Sequence, residues 1–437
     1  MPYKYFNTMI RKILLLLIIL TSLNTFAQSE EDYYDGDYIR YEDYIYSENF
    51  KSVKLYKTGF DLSAPFIDLG SNQTLTLKFD DLNAESNTYY YSFILCNADW
   101  TPADLLPMEY LDGTNEEYFN VNTTSLNTTM RYTHYQVQLP SPNMRFTKSG
   151  NYLLKIYSDD DPDKALITRR MYVVENRVAV ETEYMMAKSP HYRMTHQEMY
   201  VKVVTAGYPM PNIYEDFTLV IQQNGRTDNM IIKHQPKLMN DEFLYFNTAN
   251  DILFDANNEF RILDIRSLKI QSANVNRIIY DSAGFTVQML TDLPRTRYLK
   301  YEELNGNFSI IDWDDPQFSG QIEADYAFVD FSLKLDSTLI DGGVYLVGAL
   351  TDWRIDNSSR MAYDRLSQQY TTSLLLKQGY YNYQYVYVPN GKTKGNAGLF
   401  EGNYSETMNK YTMYVYYKDQ GEYWDRLIGF STINENK

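Results

Sequence analysis

The sequence predicts an all-β protein built from tandem immunoglobulin-like β-sandwich domains, and three observations carry that prediction. Tyrosine occurs 43 times, and its ring can pack on a core while its hydroxyl reaches water, which suits half-buried strands. Apolar residues recur with a period of two over many short stretches, the pattern of strands with one buried face. No long helical period runs through the chain, and no internal repeat of roughly 20 to 50 residues is visible.

The chain opens with Lys4, Arg11 and Lys12, then the apolar run Ile13 to Leu20, then the small-residue site Thr25-Phe26-Ala27. This order predicts a secretory signal peptide over residues 1–27, with the mature chain beginning at Gln28. The apolar run is too short to span a membrane comfortably. No cysteine follows the expected cleavage site, so no direct lipid anchor is expected. Removing three basic residues and no acids takes the formal charge from −17 to −20. That balance argues against nucleic acid or an anionic lipid surface as partner. A single cysteine, Cys96, cannot form an internal disulfide, so each domain must stand on its own core.

Residues 28–49 form an acidic, tyrosine-rich arm with little aliphatic content. A mobile or adaptively ordered segment is expected there. A first sandwich is expected over 50–175. In it Leu75, Leu77 and Phe79 alternate with Thr74, Thr76 and Lys78, and Tyr135, Val137 and Leu139 repeat the pattern. A strand carrying Tyr89, Tyr91, Phe93 and Leu95 runs into the loop Ala98–Gly113, which holds Asp99, Trp100, Pro102 and Pro107. A second sandwich is expected over 176–292. Its Asn224-Gly225 pair tolerates the positive φ values of a tight hairpin turn, and the Glu259–Arg266 strand mixes Asp and Arg with apolar residues, which predicts a cross-strand ion pair. A third sandwich is expected over 293–437, ending on the alternating strand Tyr411–Tyr417.

The residue patterns of known chemistries are largely missing. There is no phosphate-binding loop, no Gly-x-Ser-x-Gly elbow and no pair of Cys-x-x-Cys motifs. His191 and His196 stand five apart, a spacing that suits neither one helical turn nor one strand face, so no metal site is expected. Cys96 has no histidine near it in sequence, though His134 could approach in space; a buried structural thiol is the plainer reading. Asp159-Asp160-Asp161 and Asp314-Asp315 read as solvated turns. No catalytic residue and no cofactor are expected, and a hydrolase using Cys96 or an acid pair ranks last.

Two stretches resemble known families. Val344 to Trp353, followed by Gly379 to Tyr385, resembles the early-set sandwich of glycogen-binding modules. Trp353 matches one sugar-stacking position, while Gln384 and the Lys392-Thr393 region stand where that family has a lysine and a second tryptophan. The resemblance implies the fold and leaves a periplasmic carbohydrate-binding protein as the alternative function.

The other resemblance spans most of the mature chain. Cys96-Asn97-Ala98-Asp99-Trp100-Thr101-Pro102, Glu109 to Gly113, Tyr132-Thr133-His134-Tyr135 and Ser149 to Tyr152 resemble the first domain of the type IX secretion system plug proteins of Bacteroidota. So do Asn258 to Arg261, Asp264 to Leu268 and Glu323 to Tyr326 further on. The resemblance implies a non-enzymatic periplasmic protein that closes the inner mouth of a large outer-membrane translocon barrel when its shuttle protein is absent. Asp99, Trp100, Tyr110 and Gly113 are the partner-binding candidates, with Trp100 readable either as a core plug or as a contact. Asp281-Ser282-Ala283 and Asp336-Ser337-Thr338 resemble an O-glycosylation acceptor of the same phylum, which makes Ser282 and Ser337 candidate modification sites.

Overall fold

The computed structural model describes residues 38–205, 207–246, 251–314 and 321–434. The signal peptide and the first part of the acidic arm lie outside them. Almost all the regular structure of the described residues is strand, folded into three two-sheet sandwiches, each around its own apolar cluster. Among the described residues no helix is long and apolar enough to cross a membrane.

In the first sandwich one sheet orders Tyr44–Ile45, Ile167–Val174, Gly150–Ser158, Tyr89–Cys96 and Glu116–Tyr118. The facing sheet orders Phe50–Lys57, Leu75–Asp81, Thr133–Leu139 and Asn122–Thr124. The expected inward residues Leu75, Leu77, Phe79, Tyr91, Phe93 and Tyr135 meet in the core between them. Phe79 and Tyr135 stack across the strand pair with centroids 5.0 Å apart, the cross-strand aromatic contact that stabilises such sheets.

The second sandwich pairs Ala179–Met186 with His196–Val204 on one side. Its other sheet orders Ile231–Lys233, Phe217–Gln223, Lys410–Tyr417 and Arg426–Asn434. The Asn224-Gly225 turn has φ values of 52° and 79°, as the hairpin requires. The third sandwich is built on Gly379–Pro389, flanked by Arg261–Asp264, Phe308–Ile310 and Gly342–Val347. Its second sheet runs from Val275–Asp281 through Gly284–Met289, Tyr326–Lys334 and Gln369–Lys377 to Ala362–Asp364.

The sheets therefore do not divide at the expected 292/293 boundary. Strands from 261 to 289 pair within the third sandwich, and the last two strands return to the second. Tyr411–Tyr417 is not the final strand either, because Arg426–Asn434 follows and pairs with it. Alternation along a strand reports which face is buried but not which strand lies beside it. The chain thus crosses between the second and third sandwiches twice, near residues 256–260 and 402–410. The two crossings are tied by a buried amide and a buried hydroxyl: Asn409 Nδ2 donates to the Ala256 carbonyl at 2.9 Å, and Thr407 Oγ1 to the Asn257 carbonyl at 3.0 Å.

The acidic arm is seated from Tyr38 onward rather than mobile. Tyr44–Ile45 adds to the edge of Ile167–Val174, and the Arg170 guanidinium donates to the Tyr41 carbonyl at 2.9 and 2.5 Å. The Tyr44 ring lies near the guanidinium carbons of both Arg40, at 4.2 Å, and Arg354, at 4.1 Å. The arm's aromatic residues find cations to pack on, which compensates for its lack of aliphatic surface.

Candidate functional site

The loop that follows Tyr89–Cys96 is fixed by its own short-range bonds. Asp99 Oδ1 accepts from the Thr101 amide at 2.9 Å and the Thr101 hydroxyl at 2.6 Å. Trp100, with φ of 68°, turns inward and is 8% exposed. Its ring meets Tyr172 edge-on at 5.6 Å and lies 4.3 Å from the Arg170 guanidinium, so the seated arm and the sheet hold it together. Tyr110 is 3% exposed and its hydroxyl donates to the Phe93 carbonyl at 3.0 Å. Gly113 has φ of 99°, and a Cβ there would collide with the Asn143 carbonyl oxygen. Trp100, Tyr110 and Gly113 hold the loop's shape. Of the four candidates Asp99 and Gly113 are exposed, and Asp99 alone offers a side chain to solvent.

The same loop presents a feature the sequence reading passed over. Leu106, Pro107 and Met108 are consecutive and exposed, Leu106 at 63% and Met108 at 75%. They sit on the short helix Pro107–Tyr110, closed by the Glu109 carboxylate accepting from the Leu106 amide at 2.7 Å. A rigid apolar knuckle costs solvation in the free protein. Leu105 to Met108, four successive apolar residues in an otherwise polar loop, were its signal.

Cys96 is fully buried, and burial pushes its thiol up to about 12, which leaves no thiolate for nucleophilic attack near neutral pH. His134 does not approach it. Its Nδ1 lies 2.6 Å from Asp80 Oδ1, while Asp80 Oδ2 accepts from Lys377 Nζ and the Tyr326 hydroxyl, each at 2.7 Å. Burial works to raise the Asp80 carboxyl, but the Lys377 ammonium and His134 together hold it below the ordinary carboxylate value. Asp80 and His134 belong to the first sandwich and Lys377 and Tyr326 to the third, so this buried cluster joins the two. Beside it Asp325 accepts from the Thr129 and Met130 amides at 2.8 and 3.2 Å, and the Tyr132 hydroxyl donates to the Ala324 carbonyl at 2.9 Å.

The first and second sandwiches meet through aromatic residues instead. Tyr172 stacks on Tyr414 at 4.5 Å and Phe66 meets Phe430 at 4.3 Å. Trp424 Nε1 donates to the Ser149 carbonyl at 3.0 Å, and the Tyr416 hydroxyl to Asn151 Oδ1 at 2.7 Å.

Residues 50–175 match the first domain of the type 9 secretion system plug proteins. A hypothetical protein from Parabacteroides merdae ATCC 43184, known from a crystal structure at 2.30 Å resolution, is 32% identical, with a TM-score of 0.88 over 91% of this chain and all of that one. The chain belongs to the type 9 secretion system plug family. No curated protein matches it. Dimeric latent PorU from Porphyromonas gingivalis aligns over 89% of this chain and 34% of that one, but at 10% identity and a TM-score of 0.14 it supports no structural argument.

Several of the stretches that carry the plug-family resemblance lie at the seams. Tyr132 and His134 lie on the first-to-third seam, facing Ala324, Asp325 and Tyr326. Asn151 lies on the aromatic seam. Arg261 does not pair with Asp264; it meets Glu401 at 3.0 Å and Asp292 at 2.6 Å. Asp264 pairs with Arg266, two residues beyond the end of its strand. The ion pairs form with partners that sequence spacing could not name. Near them Glu303 is raised to about 8, by burial first and then by the Glu259 carboxylate.

The remaining candidates are also placed. Trp353 packs edge-on against Phe260 at 5.7 Å and lies over Gly306 and Gly225, so it bridges the third and second sandwiches instead of standing out as a sugar platform. Gln384 is buried. His191 and His196 flank the Tyr192 ring at 4.7 Å each. Among the described residues no cluster of three or more metal-ligating side chains is found. The Asp159–Asp161 turn is exposed, and the neighbouring Pro162 and Asp163 carbonyls are held by Lys155 Nζ at 2.7 and 3.1 Å. Asp314 bonds Ser267 and the Leu268 amide, while Asp315 lies outside the described residues. Ser282 and Ser337 both occupy exposed turns.

Proposed function

We propose that this chain is a non-enzymatic periplasmic plug that binds the inner mouth of the type IX outer-membrane translocon barrel and keeps it closed while the shuttle protein is absent. Plug-family membership ties the chain to the secretion system. The observation that supports the finer reading is the way three sandwiches are locked together by two buried seams and a double chain crossing. A stopper must resist deformation, and it must leave its seat whole. Such a body needs a modest, releasable contact surface rather than a continuous apolar one.

In the Ala98–Gly113 loop the side chains open to a partner include Asp99, Leu106 and Met108, while Trp100 and Tyr110 hold the loop's shape. Tagged mature chain expressed in its native host tests the reading by detergent extraction and pull-down. Recovery of a very large outer-membrane barrel is expected. Recovery of soluble glycans with no membrane protein would instead favour the carbohydrate-binding alternative. Ser282 and Ser337 are proposed as O-glycosylation sites on that same native material, where intact mass reads each added glycan directly.

A further inference from the structure

Where the three sandwiches meet they border a partly open cavity of about 200 Å³. Four cations and three carboxylates line it: Lys54, Arg169, Arg170 and Lys410 against Asp43, Asp61 and Asp352. In a chain with a formal charge of −17, a net positive interior site is against the trend.

Three of the four cations are satisfied. Lys54 Nζ donates to Asp61 and to the Phe308 carbonyl, each at 2.6 Å. Arg169 meets Asp352 at 3.1 Å, and Arg170 is held by the Tyr41 carbonyl. Lys410 is different. It starts the strand Lys410–Tyr417, whose Tyr411, Met413 and Val415 fill the second sandwich's core. The alternate residues Lys410, Thr412 and Tyr414 face the cavity. The Lys410 amide donates to Asn224 Oδ1 at 2.8 Å, but among the described residues no oxygen accepts from its ammonium. Burial alone draws that ammonium below lysine's ordinary value. Asn305, from the third sandwich, lines the same cavity; its buried Oδ1 lacks a partner and, as an acceptor, is met by a water or by the protonated oxygen of an oxyanion.

We propose that this cavity is a binding site for a small oxyanion, a carboxylate or a phosphate, held by Lys410 where all three sandwiches meet. A half-buried ammonium without a counter-charge is costly, and an anion beside it recovers that cost with a charge-assisted hydrogen bond. The volume equals that of several waters, at about 30 Å³ each. It has room for one phosphate or acetate. Because the walls come from all three sandwiches, an ion there binds the assembled form and not the separated one, so occupancy stabilises the assembly.

The test uses the purified mature chain, with calorimetric titration and thermal unfolding in sodium phosphate, sodium acetate and sodium chloride at matched ionic strength. A saturable single-site heat and a rise in midpoint beyond that in chloride are expected from phosphate, acetate or both, and the tighter of the two names the anion class. Lys410→Gln weakens that binding by about tenfold or more, and Lys410→Arg retains it. Without anion, Lys410→Gln unfolds no lower than the parent, which separates loss of the site from loss of the fold. Equal responses to all three salts, or the same oxyanion response in parent and Lys410→Gln, would overturn the proposal and leave a water-filled cavity.

Discussion

The two seams around the first sandwich solve one problem with opposite chemistry. Against the second sandwich it uses rings, with Tyr172 on Tyr414 and Phe66 on Phe430. Against the third it buries Asp80 between Lys377, His134 and Tyr326. Aromatic burial is broadly attractive and tolerates small shifts of register. A buried ion pair is directional: it gains little over an apolar contact when intact, and it is expensive when one partner is lost. The comparison suggests that the aromatic seam supplies adhesion, while the ionic seam fixes a single orientation of the third sandwich on the first.

Breaking the ionic seam therefore gives the largest expected effect. Lys377→Met leaves Asp80 buried without its cation and is expected to destabilise the chain by about 3–5 kcal/mol in denaturant unfolding. Adding Asp80→Asn to that variant should recover a substantial part of the loss. If single and double variants unfold alike, the cost lies in packing and the two seams do not differ in kind. Tyr414→Ala on the aromatic seam should cost about 3 kcal/mol, with no second substitution able to rescue it by removing a charge.

A pH series sharpens the same contrast at the carboxyl near the chain crossings. Glu303 titrates at about 8 in the folded chain against an ordinary 4.5. The folded state thus holds a proton that the unfolded state releases, and stability falls as pH rises from about 4.5 to about 8. Glu303→Gln should remove that part of the decline, leaving the midpoint at pH 4.5 nearly unchanged and raising it at pH 8. An unchanged slope in the variant would assign the pH dependence elsewhere. Asp80 acts with the opposite sign. Its depressed value gives stability that is present above the ordinary carboxylate range and is lost as acid protonates it.

Leu106→Asp with Met108→Asp gives the smallest effect on folding, within about 0.5 kcal/mol, because both side chains already face water. If the knuckle meets the barrel, the same pair should weaken retention on it by tenfold or more. Retention unchanged in a pull-down titration would move the contact to another face.

Much of the fold was legible in the sequence because alternation is a local property. Phe217–Gln223, Thr133–Leu139 and Phe308–Ile310 are strands where the pattern puts them, and Asn224-Gly225 turns as its residue types require. What alternation hides is the neighbour. Thr76, Lys78 and Asp80 read as the water face of their strand, yet the third sandwich covers Asp80 completely. Lys410–Tyr417 reads as part of the third sandwich because it follows it, though it pairs with Phe217–Gln223. The loop failed differently. An aromatic residue in a turn fits equally well inward or outward, so Trp100 and Tyr110 drew attention, while the exposed Leu106 and Met108 resembled ordinary core formers.

The measurement closest to the proposed function is the ion conductance of the purified translocon barrel in a planar bilayer, stripped of its shuttle protein, before and after the mature chain is added to the periplasmic side. A stepwise fall toward zero current is predicted, with partial reopening in the Leu106→Asp, Met108→Asp variant. A barrel that stays open at saturating chain would contradict the plug.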